Sequence, residues 1–302
     1  MTEIKRVIAL GFFDGIHLGH GALMEMTASR AAALNAQAAA VSFDMHPDTL
    51  IKGETVPLIS SAQDKKELIG RLYGINELIL IHFDEHLMQT PWEEFAVYLR
   101  DELHAVHIVV GHDFHFGYRG EGDAERLRVF CEENGLGFDM IPKVEMDGRV
   151  ISSTYIRSLL LDGEIERANA FLGHPHSLSG IVESGFQLGR TIGIPTTNLR
   201  FAPGVLEPRH GVYVTKTFFD CLEYMAVTNV GVRPTVGGKD AVTVESHILD
   251  FSGDLYGKTI RVEFYSFLRP EKKFPDLAGL KAQIAEDALA AREIFEKTGV
   301  TP

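Results

Sequence analysis

Cysteine and long apolar runs are both scarce in this chain, and each scarcity removes a class of protein. Cys131 and Cys221 are the only two cysteines among 302 residues. They form no C-x-x-C pair, so neither a disulfide framework nor a thiolate metal cage is available. The longest apolar stretches, such as Ile79-Leu80-Ile81 and Ala105 to Val110, fall far short of a membrane span. Met1-Thr2-Glu3 begins no secretory leader, and a cytoplasmic protein with no membrane partner is expected. Basic residues are also in deficit: 29 Lys and Arg against 42 Asp and Glu leave a formal net charge of −13. That balance speaks against a sequence-independent grip on nucleic acid, so anionic ligands must be held by local groups. The absence of G-x-x-x-x-G-K-[ST] speaks against a P-loop kinase, and the absence of G-x-G-x-x-G after the first strand speaks against a nicotinamide-dependent oxidoreductase.

What is present is the composition of a globular chain, 45% hydrophobic and 24% charged, long enough for two domains that each bury a core. Up to about Phe171, apolar runs alternate with amphipathic segments. Arg6 to Leu10, Ala38 to Phe43, Glu77 to Phe83, Val106 to Gly111 and Gly137 to Pro142 read as strands. Leu18 to Asn35, Ser61 to Tyr73, Pro91 to Leu103 and Asp123 to Asn134 read as the intervening helices, which together predict a parallel α/β sheet. Thr90-Pro91-Trp92-Glu93 and Ser60 with Gln63 carry the pattern of helix N-caps, and Gly135 that of a helix stop.

After Gly173 the texture changes to short alternating segments broken by Gly, Pro and Asn: Gly180 to Val182, Gly211 to Thr217, Met225 to Val230, Thr243 to Leu249 and Thr259 to Phe267. This spacing predicts a small antiparallel β-barrel or sandwich, closed by one amphipathic helix over Leu277 to Phe295. The expected domains are residues 1–178 and 179–302. The sequence leaves the oligomeric state open, and a monomer is compatible with it.

The densest chemistry lies in Gly11-Phe12-Phe13-Asp14-Gly15-Ile16-His17-Leu18-Gly19-His20, between the first strand and the first helix. His17 and His20 then fall near a helix N-terminus, where unpaired N–H groups and the helix dipole favour an anion, and Gly19 lets a phosphate approach the backbone. An isolated His pair at this spacing is more often packing or surface; the strand–turn–helix context favours a phosphate site. Three further segments fall where strands of such a sheet end, the place these folds put ligands. They are Ser42 to Pro47, Val110 to Gly117, and Ile151-Ser152-Ser153-Thr154-Tyr155-Ile156-Arg157. In the last, hydroxyls open a helix and an arginine follows within one turn, which suits triphosphate oxygens.

In the second half, Thr196 and Asn198 offer neutral oxygens two residues apart in an extended segment, suited to a Mg²⁺ ion that keeps most of its ligands from water and phosphate. Glu245 sits on an alternating strand and could take a proton from a substrate hydroxyl, or simply face solvent.

Taken together these runs resemble the prokaryotic bifunctional riboflavin kinase/FMN adenylyltransferase family, also called FAD synthetase. The resemblance runs through GxFDGxHxGH at Gly11 to His20, FDxHP at Phe43 to Pro47, VGxDFxFG at Val110 to Gly117 and ISSTxIR at Ile151 to Arg157. It continues through GRTxGxPTxN at Gly189 to Asn198, NxGxRPT at Asn229 to Thr235 and ExHxxDF at Glu245 to Phe251. It implies a Rossmann-like HxGH nucleotidyltransferase that transfers AMP from ATP to FMN with release of pyrophosphate, joined to a barrel that phosphorylates riboflavin with Mg²⁺-ATP. His17, His20 and Glu245 would be catalytic. Gly11, Phe13, Asp14, Gly19, Asp113, Ser153, Thr154 and Arg157 would meet ATP in the first half, and Gly185, Gly189, Gly193 and Thr196 in the second. Phe43, His46, Pro47, Asn229 and Arg233 would contact flavin, and Thr196 and Asn198 the metal.

Phe12 replaces the family's usual asparagine, Thr197 its usual alanine, and His174-Pro175-His176 its usual Arg-Pro-Tyr. Three competing readings account for less. An adenylyltransferase for another metabolite leaves the second motif set unexplained, a nucleic-acid-binding barrel runs against the acidic balance, and a non-catalytic flavin sensor runs against the retained histidines and Glu245.

Overall fold

The computed structural model describes residues 4–53, 55–183, 194–233 and 241–298. The chain divides into two compact units, Met1–Ser153 and Thr154–Pro302.

In chain order the first unit contains β1 (Arg6–Leu10), α1 (Leu18–Leu34), β2 (Gln37–Phe43), α2 (Pro47–Lys52), α3 (Ala62–Tyr73), β3 (Glu77–Ile81), α4 (Glu85–Gln89), α5 (Trp92–Asp101) and β4 (Ala105–Gly111). The short strands β5 (His115–Phe116) and β6 (Gly122–Asp123), then α6 (Ala124–Glu133), β7 (Gly137–Ile141) and the hairpin of β8 (Glu145–Met146) and β9 (Arg149–Val150) complete it. The five-stranded sheet has the order β3-β2-β1-β4-β7, and every pairing in it is parallel.

Helices cover both faces, which is why Val7, Ile8, Ala9 and Leu10 read as an unbroken apolar run and are all fully buried. Val7 and Ala9 pack with Leu23, Met24 and Ile69 on one face; Ile8 and Leu10 pack with Phe95, Leu99 and Leu127 on the other. Strand order reverses at β1, so the crevice beyond its carboxyl end is the expected ligand position of a doubly wound sheet.

Two cap readings are corrected. Ser61, not Ser60, caps α3, its Oγ accepting the Asp64 N–H at 3.0 Å. Ser60 Oγ instead accepts the Gly15 N–H at 3.0 Å and pins the turn before α1. Thr90 closes α4 rather than opening α5, and Pro91 takes the cap position of α5.

In the second unit α7 (Ser153–Asp162) and α8 (Ile165–Leu172) lead into β10 (His176–Ile181), β11 (Thr197–Leu199), β12 (Gly211–Phe219), β13 (Leu222–Arg233), β14 (Ala241–Ile248), β15 (Thr259–Arg269) and α9 (Leu277–Thr298). Sequence patterning grouped residues 154–178 with the first half. By packing they go with the second, because α8 buries Ile165, Ala168, Phe171 and Leu172 and lies against β10 and β15. The antiparallel sheet among the described residues runs β10-β15-β12-β13-β14-β11. Its two edges meet where the Glu183 N–H donates to Asn198 O at 2.9 Å, so the sheet curls back on itself. Helix α9 closes one outer face by packing Ala291 and Phe295 on Val212, Val214 and Val227. A bidentate pair from Arg269 to the buried Asp287, at 2.9 and 2.7 Å, anchors it.

His176 is fully enclosed, its Nε2 has no hydrogen-bond partner among the described residues, and burial, then the nearby His174, pushes its pKa down to about 4. Unfolding releases this ring to its ordinary value near 6.5, so below that pH the unfolded state binds the extra proton. Its contribution is therefore complete above about pH 6.5 and is lost as pH falls toward 4, roughly 3 kcal/mol over the window. Thermal unfolding of the wild type should move to lower temperature across this interval, and His176→Phe should flatten that dependence. An equally steep dependence in the variant assigns the effect to other groups.

Candidate active sites

The first site forms where the chain leaves β1. Phe13 (φ 55°), Gly15 (φ 77°) and Ile16 (φ 47°) take left-handed conformations in succession. The tight turn is held by Asp14, whose buried carboxylate accepts the Ile59 N–H at 2.8 Å, and by Ser153 Oγ donating to Asp14 O at 3.0 Å. His17 then caps α1, its Nδ1 accepting the His20 N–H at 3.3 Å. A neutral His17 so engaged carries its proton on Nε2. Its ring stacks on that of His20 at 3.6 Å, 13° from parallel, and a Cβ at Gly19 would meet the His17 ring at 3.1 Å. The glycine between the histidines thus keeps the helix mouth clear.

A cleft of about 460 Å³ opens over this helix mouth. Of the sequence candidates, Gly11, Phe13, His17, Gly19, His20, Phe43, Pro47, Asp113 and Ser153 all line it. Asp14 and His46 do not: Asp14 braces the turn, and His46 caps α2 by accepting the Asp48 N–H at 3.1 Å. Thr154 and Arg157 lie in the first turns of α7, with an Arg157 Nη donating to Thr154 Oγ1 at 3.2 Å.

The second recess, of about 560 Å³, is mostly apolar. It is bounded by Ile51, Phe83, Leu87, Met88, Phe95 and Phe116 among others, and it shares Phe43, Pro47 and His115 with the first. Sequence reasoning missed this apolar wall. Its apolar residues are scattered over α2, α4, α5 and β5 and the Phe83 loop, so no single run of sequence signals it.

His20 is half-buried at the wall of the cleft. Burial chiefly, then the neighbouring His17 and Lys65, hold its pKa well below the ordinary imidazole value. The site therefore presents stacked, hydrogen-bonding imidazoles at a helix N-terminus, an arrangement that receives phosphate charge without supplying a nucleophile.

In the second unit Glu245 on β14 lies in register with Asn198 on β11 and with Asn229 on β13. Residues in register across neighbouring strands share a face, so these side chains form one polar row. Glu245 is 9% exposed and accepts from Thr243 Oγ1 at 3.3 Å. Asn229 donates to Glu271 at 3.2 Å. Thr196 and Asn198 line a recess with Pro195, Phe251, Asp254 and Tyr256.

Thr197 and Ser246 line this recess as well, and Glu245 does not; the Thr197 Oγ1 donates to Ser246 O at 3.5 Å. Ser246, Thr228 and Thr215 continue inward as a hydroxyl chain at 2.8 and 2.7 Å. The hydroxyl that threonine adds over alanine thus finds an acceptor. Gly185, Gly189 and Gly193 and the Arg233 side chain lie outside the described residues.

The FAD synthetase family model matches residues 1–155 and the riboflavin kinase family model residues 172–295. The chain is 33% identical over 298 residues to a bifunctional riboflavin kinase/FMN adenylyltransferase of Listeria monocytogenes, covering 98% of this chain and 94% of that one. It is 34% identical to the enzyme of the same description from Pseudomonas fluorescens, covering 95% and 92%. A solved structure described as a macrolide-efflux protein from Streptococcus pneumoniae superimposes with a TM-score of 0.83 at 30% identity, covering 97% of this chain and 95% of that one. Among the described residues no helix is long and apolar enough to cross a membrane.

Proposed function

The chain belongs to the bifunctional riboflavin kinase/FMN adenylyltransferase family, and on that premise we propose that it makes FAD from riboflavin in two ATP-dependent steps at two separate sites. Glu245, with Thr196 and Asn198 beside it, serves riboflavin phosphorylation. His17 and His20 serve transfer of AMP to the resulting FMN. The observation that carries the reading is that each half holds its own compact polar site: stacked imidazoles at the mouth of α1, and a carboxylate in register with two asparagines. We place the functional boundary near residue 178, with α7 carrying phosphate-binding hydroxyls for the first reaction.

At the first site an FMN phosphate oxygen attacks the α-phosphorus of ATP and pyrophosphate leaves. The chemistry needs positioning and charge stabilisation and no covalent enzyme intermediate. The N–H groups of α1 and the ring donors of His17 and His20 receive the charge. Ser153, Thr154 and Arg157 hold the triphosphate, and Gly11, Gly19 and Asp113 border the nucleotide. The apolar recess behind Phe43 and Pro47 fits the flavin ring, which needs apolar walls around a few oriented polar groups.

At the second site Glu245 takes the proton of the ribityl hydroxyl as that oxygen attacks the γ-phosphate. We assign Asn229 and Arg233 to the flavin, and Gly185, Gly189 and Gly193 to the nucleotide. The residues present fit magnesium. This ion takes one or two protein oxygens and keeps water and phosphate for the rest, and Thr196 and Asn198 supply two neutral oxygens to one recess. Among the described residues no cluster of three His, Cys, Asp or Glu side chains offers a competing cage. When bound, Mg²⁺ would neutralise the charge building on the transferred phosphoryl group. Both reactions use soluble small substrates, and we place the enzyme in the cytoplasm.

Incubating the protein with riboflavin, ATP and Mg²⁺ and separating the products by chromatography tests the whole reading. FMN should appear first and FAD should follow at its expense. FMN with no FAD, even with FMN and ATP in excess, removes the adenylylation half.

A further inference from the structure

Lys65 is the charged residue whose position is hardest to explain by surface chemistry. It lies on α3 in a stretch, Gln63 to Lys66, whose composition suits solvent, yet it is 3% exposed. Its Nζ donates to Phe12 O at 2.6 Å and to Ser42 Oγ at 3.1 Å, and it stands 4.4 Å from the centre of the Phe12 ring. Ser42 Oγ in turn donates to Phe12 O at 2.7 Å. One backbone carbonyl, at the point where the chain turns from β1 toward the histidines, is therefore gripped from two sides. The Phe12 ring, standing where the family's usual residue is asparagine, lies edge-on to His46 at 4.7 Å and covers the ammonium.

A buried ammonium is retained at a cost that a methionine or leucine would avoid. Lys65 does not line the substrate cleft, so any role it has in turnover passes through neighbours. Resting on the adenylylation reading above, we propose that Lys65 is a positioning residue of the first site, whose ammonium fixes the Gly11–Phe13 turn that leads to the histidines.

The groups bearing on these two are few. His17 and Lys65 act on His20, and Asp14 acts on Lys65, partly offsetting the burial that brings its pKa down to about 8. Losing the Lys65 charge removes a repulsion from His20, so the His20 ring should then protonate at higher pH than in the wild type.

The test compares full-length wild type, Lys65→Met and Lys65→Arg. FMN adenylylation is measured across about pH 5.5 to 8, His20 is titrated by long-range ¹H–¹⁵N spectra of its ring, and riboflavin phosphorylation reports on folding. Lys65→Met should lower the adenylylation kcat by roughly tenfold or more, with KM for FMN and ATP within about threefold. Its His20 titration should move to higher pH. Lys65→Arg should keep the wild-type His20 titration. An unchanged adenylylation kcat in Lys65→Met overturns the proposal, as does a fall in kcat matched by an equal loss of riboflavin phosphorylation.

If Lys65→Met fails to fold, Ser42→Ala decides, since it removes one of the two oxygens Lys65 holds and leaves the charge. Its kcat should fall a few-fold with His20 titrating as in the wild type, and an unchanged kcat overturns the positioning role. A wild-type protein unable to adenylylate FMN would refute the adenylylation reading instead. The ring titration needs no turnover and still tests the Lys65–His20 interaction.

Discussion

Replacing His20 with alanine is expected to cut FAD formation from FMN by roughly 10²-fold or more, the scale at which one preorganised transition-state donor acts. Riboflavin phosphorylation should stay within about twofold of wild type. In the proposed role the imidazole is in place before the reaction begins: it is stacked 3.6 Å from His17, and burial first holds its pKa well below the ordinary value. Because that pKa is lowered, His20 gains charge only as pH drops far below 6.5. The adenylylation rate should accordingly show no loss near pH 6.5 attributable to this ring.

His17 needs a more careful substitution. Its Nδ1 caps α1, so His17→Ala removes a helix cap worth about 1 kcal/mol together with the ring. His17→Asn offers a cap acceptor and no imidazole, which separates the two roles. The Asn variant should keep the wild-type unfolding temperature within a few degrees and still lose adenylylation by a similar factor. Wild-type adenylylation by both the His20→Ala and His17→Asn proteins would remove the histidines from the mechanism.

How much of this was legible in the sequence follows from what each element buries. The parallel sheet could be read because β1 is covered on both faces and leaves an unbroken apolar run, and β4 leaves one broken only by His107. Short helices were not legible: α2 and α4 are six and five residues long, too few for a periodicity to register. The curled sheet was read as alternating segments, yet Thr215, Thr217 and Thr228 are fully buried, and the pairing of Thr215 with Thr228 at 2.7 Å satisfies two hydroxyls inside the curl. Alternation by residue type therefore misjudges which face is inside.

Lys65 was invisible for a related reason, since a lysine on an amphipathic helix reads as solvent-facing until a carbonyl is found to receive it. The motifs were legible because catalytic geometry demands particular residue types. Their support, such as the Ser60 and Ile59 contacts that pin the turn, comes from residues about 45 positions away.

Glu245→Gln is expected to lower riboflavin phosphorylation by roughly 10²-fold or more through kcat, the usual scale for loss of a positioned general base. Binding of riboflavin and ATP should be nearly intact, because glutamine keeps the size of the side chain and an oxygen for Thr243 Oγ1, now 3.3 Å away. The primary alcohol of the ribityl chain is a poor nucleophile until its proton has somewhere to go, and Glu245 is the carboxylate in the row it forms with Asn198 and Asn229. Asn198→Ala should behave differently. It removes a neutral oxygen from the recess shared with Thr196, so the KM for Mg²⁺-ATP should rise along with the fall in kcat. FMN adenylylation should be spared in both variants when FMN is supplied directly. A Glu245→Gln protein that phosphorylates riboflavin at the wild-type rate rules out the base role, and one that loses adenylylation alone shows that the two reactions have been assigned to the wrong halves.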